Sequence, residues 1–308
     1  MSDTFDKSAT SVLDERVEAK SGNRRPSASA GFGAAMRGAV ALFLARPLTW
    51  LLVLVWLLQI VVFAYTINAS VYSQDPSSGT NVLIGSNLHV EAAHVWPLAS
   101  MPTYGSFVFV LLGAFAGGSD YRYGTFRLIL PRYSSRAGLL GARVVVLAIL
   151  AVIISVLTVA VSFAASFVVS SFLDFEVRFP AATDLALSIG LGSLVVITLM
   201  AAGFAASLIL RSLLGGFLTA FLWVVGVEVL LLSMLAPLAD WLRGVRGSLP
   251  VGASSSLVAV LGERVGIDTS STAGMSELVS PWVATAALCV WAFLLFAGAI
   301  SVFQYRDT

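Results

Sequence analysis

Few side chains in this sequence have the chemistry to do more than pack, and Glu228 stands furthest from its surroundings. It is the single charged residue in the stretch 212–239. A carboxylate deep in an apolar segment is costly, turns toward other helices or water, and marks a functional candidate. Two readings are open for it: a group on a transport or proton pathway, or a carboxyl hydrogen-bonded to a neighbouring helix. His89, Glu91 and His94, in HVEAAH, come nearest to a metal site. The pattern is not H-E-x-x-H, and the spacing of the two imidazoles puts them on different faces of a helix, so ordinary loop histidines are expected. Cys289 is the only cysteine, which excludes a disulfide framework or a cysteine-based metal site within one chain. No Ser, His and acid arrangement resembling a catalytic triad falls in the apolar segments.

The densest polar chemistry lies in SDYRYGTFRLILPRYSSRAGLLGAR, Ser119–Arg143, where Arg122, Arg127, Arg132, Arg136 and Arg143 sit between two long uncharged runs. Positive charge alone would hold such a segment on one side of a membrane. The remaining residues suggest a shape as well. Gly124 interrupts one short helical pattern, Pro131 ends another apolar run, and Ser134 and Ser135 are suited to cap the helix that follows. Tyr121, Tyr123, Phe126 and Leu128 add contact area, so the segment reads as a docking element between two helices.

These residues must be positioned by a bilayer-spanning framework. The chain is 58% hydrophobic and 11% charged, with no Lys after Lys20, which excludes an ordinary soluble surface. A helix needs about 20 mostly apolar residues to cross a hydrocarbon core of about 30 Å. The apolar runs predict an all-α integral membrane protein with six spans near 48–68, 98–118, 138–172, 185–210, 213–237 and 280–303. Trp50, Trp96, Tyr104, Trp241 and Trp282 mark several ends, as in an interfacial aromatic belt. Residues 1–30 are polar with balanced charge and read as a disordered cytoplasmic tail; 31–308 form the six-span domain. The first run begins too late and is too long for a cleavable signal, and is expected to be retained. Fourteen of the eighteen Lys and Arg fall on one side of this layout, the side of both termini and of Ser119–Arg143. That side is therefore expected to be cytoplasmic.

Three smaller features are legible. In Gly31–Arg46, Phe32, Met36, Val40, Phe43 and Leu44 recur at helical spacing, with Arg37 and Arg46 able to reach headgroups; this is an interfacial helix or a lengthened first span. GAFAG, Gly113–Gly117, is a G-x-x-x-G suited to close helix packing. Within 238–279, Leu257–Leu261 fits a short re-entrant helix, and a merely flexible loop fits equally.

The run Asp120, Gly124, Thr125, Leu128, Leu130, Pro131, Ser135 and Arg136, followed by a long helix, resembles the type-2 ATP-binding cassette (ABC) permeases. Asp120 stands where that family commonly has Glu, and Arg143 where it has Lys; the ending FQYRDT is similar too. The resemblance implies a permease subunit with both termini cytoplasmic, a connecting helix before the first span, and a coupling helix between spans two and three. Asp120, Arg122, Gly124, Thr125, Phe126, Pro131 and Arg136 would form the coupling loop to a cytoplasmic ATPase. The chain has no G-x-x-x-x-G-K-[ST] loop, since Lys7 and Lys20 are its only lysines. ATP and Mg would be bound by that partner, leaving no catalytic, cofactor or metal site here. A second permease chain, identical or homologous, and membrane lipids are the other expected partners; nucleic acid is not one. The implied function is export of a hydrophobic or amphipathic substrate (lipid, peptide antibiotic or drug) across the plasma membrane. The alternatives are a proton-coupled secondary transporter using Glu228, and a non-transporting scaffold or sensor.

Overall fold

A computed structural model describes residues 28–123, 136–267 and 275–306. The described residues are helical, with no strand among them. Five helices are long and apolar enough to cross a membrane: α2 (Pro47–Gln74), α6 (Arg136–Leu173), α7 (Ala182–Leu210), α8 (Leu213–Leu235) and α11 (Pro281–Arg306). The chain is thus a multi-pass integral membrane protein. The remaining helices are α1 (Ala28–Leu44), α3 (Gly79–Leu88), α4 (Trp96–Ser100), α5 (Ser106–Tyr123), α9 (Asp240–Ser248) and α10 (Pro250–Arg264).

Where a single second span was expected over 98–118, the structure has a break. Residues Trp96–Ser100 form α4, and α5 starts afresh at Ser106. Pro102 lies between them, and proline cannot donate the backbone hydrogen bond that a continuous helix would need. α5 is short, yet it is the innermost helix: from Val108 to Asp120 every residue but Leu111 is buried. Of the tail expected over 1–30, residues 28–30 belong to α1 and the rest lie outside the described residues.

α1 is separate from the first span. Arg46 is extended (φ −97°, ψ 123°) and Pro47 opens α2, since a residue before proline avoids the helical region. Trp50 Nε1 donates to Leu44 O across the break at 3.1 Å, and the Arg46 guanidinium lies 4.8 Å from the centre of the Phe115 ring. Ala35, Ala39 and Phe43 form the buried stripe of α1, against the start of α6. Of the face expected from sequence, Phe43 is buried, Met36 and Val40 are half-buried, and Phe32 and Leu44 are exposed. Ala35 packs there with Leu139 and Ala142 of α6.

α5 and α7 pack through glycine. A Cβ at Gly113 would lie 1.9 Å from Met200 O, and one at Gly203 would lie 2.0 Å from Val110 O. Backbone meets backbone there, and any side chain would force the helices apart. GAFAG therefore serves packing within the chain. Lipid tails supply no hydrophobic drive between helices, so van der Waals contact at close approach does the work. α7 ends at Arg211 in the left-handed conformation (φ 52°), and Ser212 caps α8 by accepting from Gly215 N–H at 3.1 Å. Gly216 then tucks against Ser207, where a Cβ would sit 2.2 Å from Cα. α2 meets this α5–α7–α8 unit through Trp56, whose ring packs edge-on against Phe109 of α5, and Trp56 Nε1 donates to Thr158 Oγ1 on α6 at 2.9 Å.

Gly113→Val or Gly203→Val should destabilise the purified protein by more than about 3 kcal/mol, at the upper end of overpacking costs because the clash is with backbone. Gly190→Ala, where a Cβ meets nothing within 4 Å, should be neutral. Thermal unfolding in mild detergent compares the three.

Candidate functional site

Among the described residues, the polar side chains singled out in the sequence do not converge on one centre. Asp120 and Glu228 belong to two separate internal pins.

The first pin is Asp120 with Arg143. Both lie in helices, α5 and α6, and both are buried. The Arg143 guanidinium pairs with the Asp120 carboxylate and also donates through Nη1 to Ala116 O at 2.8 Å. Asp120, expected in the coupling loop, thus faces inward and ties together the two helix ends that flank it. Arg122 and Arg136 fall in the same helix ends. Gly124, Thr125, Phe126 and Pro131 lie outside the described residues.

The second pin is Glu228. It lies in a π-helical stretch, Leu222–Leu231, and is 1% exposed. Its Oε2 accepts from the Val251 N–H at 2.8 Å, so the carboxylate caps the N-terminus of α10. Helix N-termini carry unpaired N–H groups and a partial positive charge that a carboxylate complements. Of the two readings of Glu228, the hydrogen-bonded one describes this geometry. α10 is longer than the Leu257–Leu261 segment expected, and is buried from Pro250 to Leu261 except for Val260. Trp291 Nε1 on α11 donates to Ser248 O at 2.9 Å, pinning the turn between α9 and α10. At 1.5 Å per residue, Glu228 lies roughly 10 Å from the Leu235 end of α8, and Trp291 roughly 15 Å from the start of α11. The α9–α10 turn therefore dips into the bundle, and α10 runs back out to Arg264, which pairs with Asp184 at 3.4 Å. Gly252 permits the turn, because a Cβ there would lie 1.9 Å from Arg246 O.

The two histidines part company. His89 stacks on Phe175, ring centres 4.4 Å apart, while His94 is 1% exposed and burial holds its imidazole below the usual 6.5. Among the described residues no group of three His, Cys, Asp or Glu could hold a metal. Cys289 is exposed on α11.

A cleft of about 850 Å³ opens between α2, α5 and α8. Its walls are the π-helical part of α2 with Gln59 and Asn68 at either end, the segment from Trp96 to Tyr104, Phe107 on α5, and Val225 and Val229 on α8. Val55, Phe63, Tyr104 and Phe107 are exposed, so one side of the cleft faces the surroundings of the bundle. None of its lining residues is charged. The π-helical turn frees carbonyls that side chains recover: Asn68 Nδ2 donates to Ala64 O at 3.0 Å and Trp96 Nε1 donates to the same oxygen at 3.1 Å. Sequence reasoning missed Gln59 and this cleft. A lone amide in an apolar run was the available signal for the residue; the wall it shares with α8 had none. The chain matches no protein-family profile, no curated protein and no solved structure.

Two outcomes follow from the pins. Asp120→Ala should cost about 3–5 kcal/mol by leaving a buried guanidinium without its carboxylate, and Asp120→Leu combined with Arg143→Met should recover most of it; detergent unfolding of single and double variants decides this. Glu228→Leu, which orphans the Val251 N–H, should cost about 1–3 kcal/mol, while Glu228→Gln keeps an acceptor and should cost less. Hydrogen exchange at the start of α10 reads that difference directly.

Proposed function

We propose that this chain is the membrane-spanning permease subunit of an ATP-driven transporter, resembling the type-2 ABC exporters, in the plasma membrane. In this reading α5 acts as a sixth span, and both termini lie in the cytoplasm with the 124–135 segment. A separate ATPase chain binds ATP and Mg, and a second permease chain completes the pathway. The observation that carries the reading is the uncharged cleft between α2, α5 and α8, whose size falls within the range of about 300–1,000 Å³ typical of small-molecule sites. Open toward lipid and poor in polar groups, it suits a hydrophobic or amphipathic cargo taken from the membrane.

The internal pins then supply a route for coupling. A push from the ATPase on the 124–135 segment reaches α5 and α6 together, because Asp120 and Arg143 tie their ends. α5 cannot move without α7, because their backbones touch at Gly113 and Gly203. Two walls of the cleft, α5 and α8, belong to that unit, so the push changes the cleft. The proton-coupled alternative depends on Glu228, whose engagement with the Val251 N–H supports a structural role instead.

The test is purification from mild detergent with the associated proteins, followed by reconstitution. A nucleotide-binding ATPase should co-purify, and its hydrolysis should rise with amphipathic compounds. Gly124→Val should weaken that association while membrane insertion persists. Absence of any ATPase in the purified complex would overturn the reading.

A further inference from the structure

The polar groups lining the cleft are nearly all spoken for by the chain itself. Asn68 and Trp96 are bonded to Ala64 O, Ser100 Oγ donates to Pro97 O at 2.7 Å, and Thr103 Oγ1 donates to Ser100 O at 3.2 Å. Tyr104, 69% exposed, sits at the rim. Gln59 is different. It lines the cleft, half-buried, and its side chain makes no hydrogen bond to the other described residues. It stands twelve residues into α2, roughly 18 Å from Pro47 at 1.5 Å per residue, which is mid-depth in a core of about 30 Å. A carboxamide offers two donors and an acceptor, and leaving them unmade in an apolar site is costly.

We propose that the cleft binds an uncharged amphiphile whose apolar body carries an amide, ester or hydroxyl, and that Gln59 selects it by hydrogen bonding to that group. Charge neutrality follows from the lining, because no ionic side chain is present to meet a charged guest in a low-dielectric site. The apolar body follows from Val55, Phe63, Phe107, Val225 and Val229. The internal polar group follows from the depth of Gln59. A phospholipid lying alongside α2 would place only methylene groups at that level, and a guest that satisfies Gln59 gains what the phospholipid cannot give. The same asymmetry makes sites built around a buried polar group reject analogues that lack its partner.

This deepens the transport reading by naming the class of cargo, but it is tested by binding alone, without nucleotide or ATPase, so either can fail while the other stands. The full chain is placed in nanodiscs of phosphatidylcholine. Two photoreactive monoacylglycerols of equal length are added, one with a saturated chain and one with a mid-chain amide, and labelled residues are mapped by mass spectrometry. The amide probe should label cleft residues about fivefold more than its saturated twin, the effect of roughly one net hydrogen bond. Gln59→Leu and Gln59→Met should abolish that preference while the saturated probe still labels. Val225→Trp, which fills the cleft from α8, should reduce labelling by both. Equal labelling by the two probes in the parent protein would overturn the proposal, as would labelling that maps away from the cleft. So would a disulfide between two copies of Phe63→Cys in a Cys289→Ser background that excludes both probes, since a second copy would then be the occupant.

Discussion

The close approach of α5 and α7 is the constraint on which the rest of the structure depends. In a bilayer, apolar side chains gain nothing by leaving lipid for one another, so helices associate where their surfaces fit and their backbones come near. Gly113 and Gly203 meet that condition from opposite sides of one crossing, each against a carbonyl of the partner helix. Gly216 extends the unit by bringing α8 against the end of α7. Because α5 is buried along nearly its whole length, the helices around it take their positions from it. α2 reaches it through the edge-to-face contact of Trp56 with Phe109, ring centres 5.0 Å apart.

Charges inside this bundle serve to join elements. Asp120 and Arg143 link the ends of α5 and α6, and Glu228 holds the start of α10. A buried ion pair such as Asp120 with Arg143 adds little net stability, because desolvation offsets the attraction, yet it fixes the arrangement of its partners. The α9–α10 turn illustrates the point. A backbone group left unpaired inside the bundle would be costly, and here Glu228 accepts from the Val251 N–H while Trp291 donates to the Ser248 carbonyl.

The cleft is what this packing leaves over. Its lining comes from α4, from Thr103 and Tyr104 after the break at Pro102, from the start of α5, and from the π-helical turns of α2 and α8. Extra residues in a helical turn shift every following side chain around the axis, which is how a π-helical turn redirects a wall. The cleft thus shares α5 and α8 with the closely packed α5–α7–α8 unit.

Apolar run length by itself determined that this is an all-helical membrane protein, because the bilayer admits few other solutions. It also located α6, α7, α8 and α11 to within a few residues, and GAFAG announced a close helix contact. Glu228 was conspicuous for the cost of its charge. Its partner was not, since Val251 contributes only a backbone N–H, which any residue but proline supplies. Asp120 and Arg143 were read as parts of a loop, because sequence spacing does not say how far a helix extends past its apolar stretch. The division of 98–118 into α4 and α5, the π-helical turns, and the placing of Gln59 and Val225 on one cleft were decided by tertiary structure alone. Each depends on contacts between residues far apart in the chain, and hydrophobic periodicity carries no record of which helix faces which.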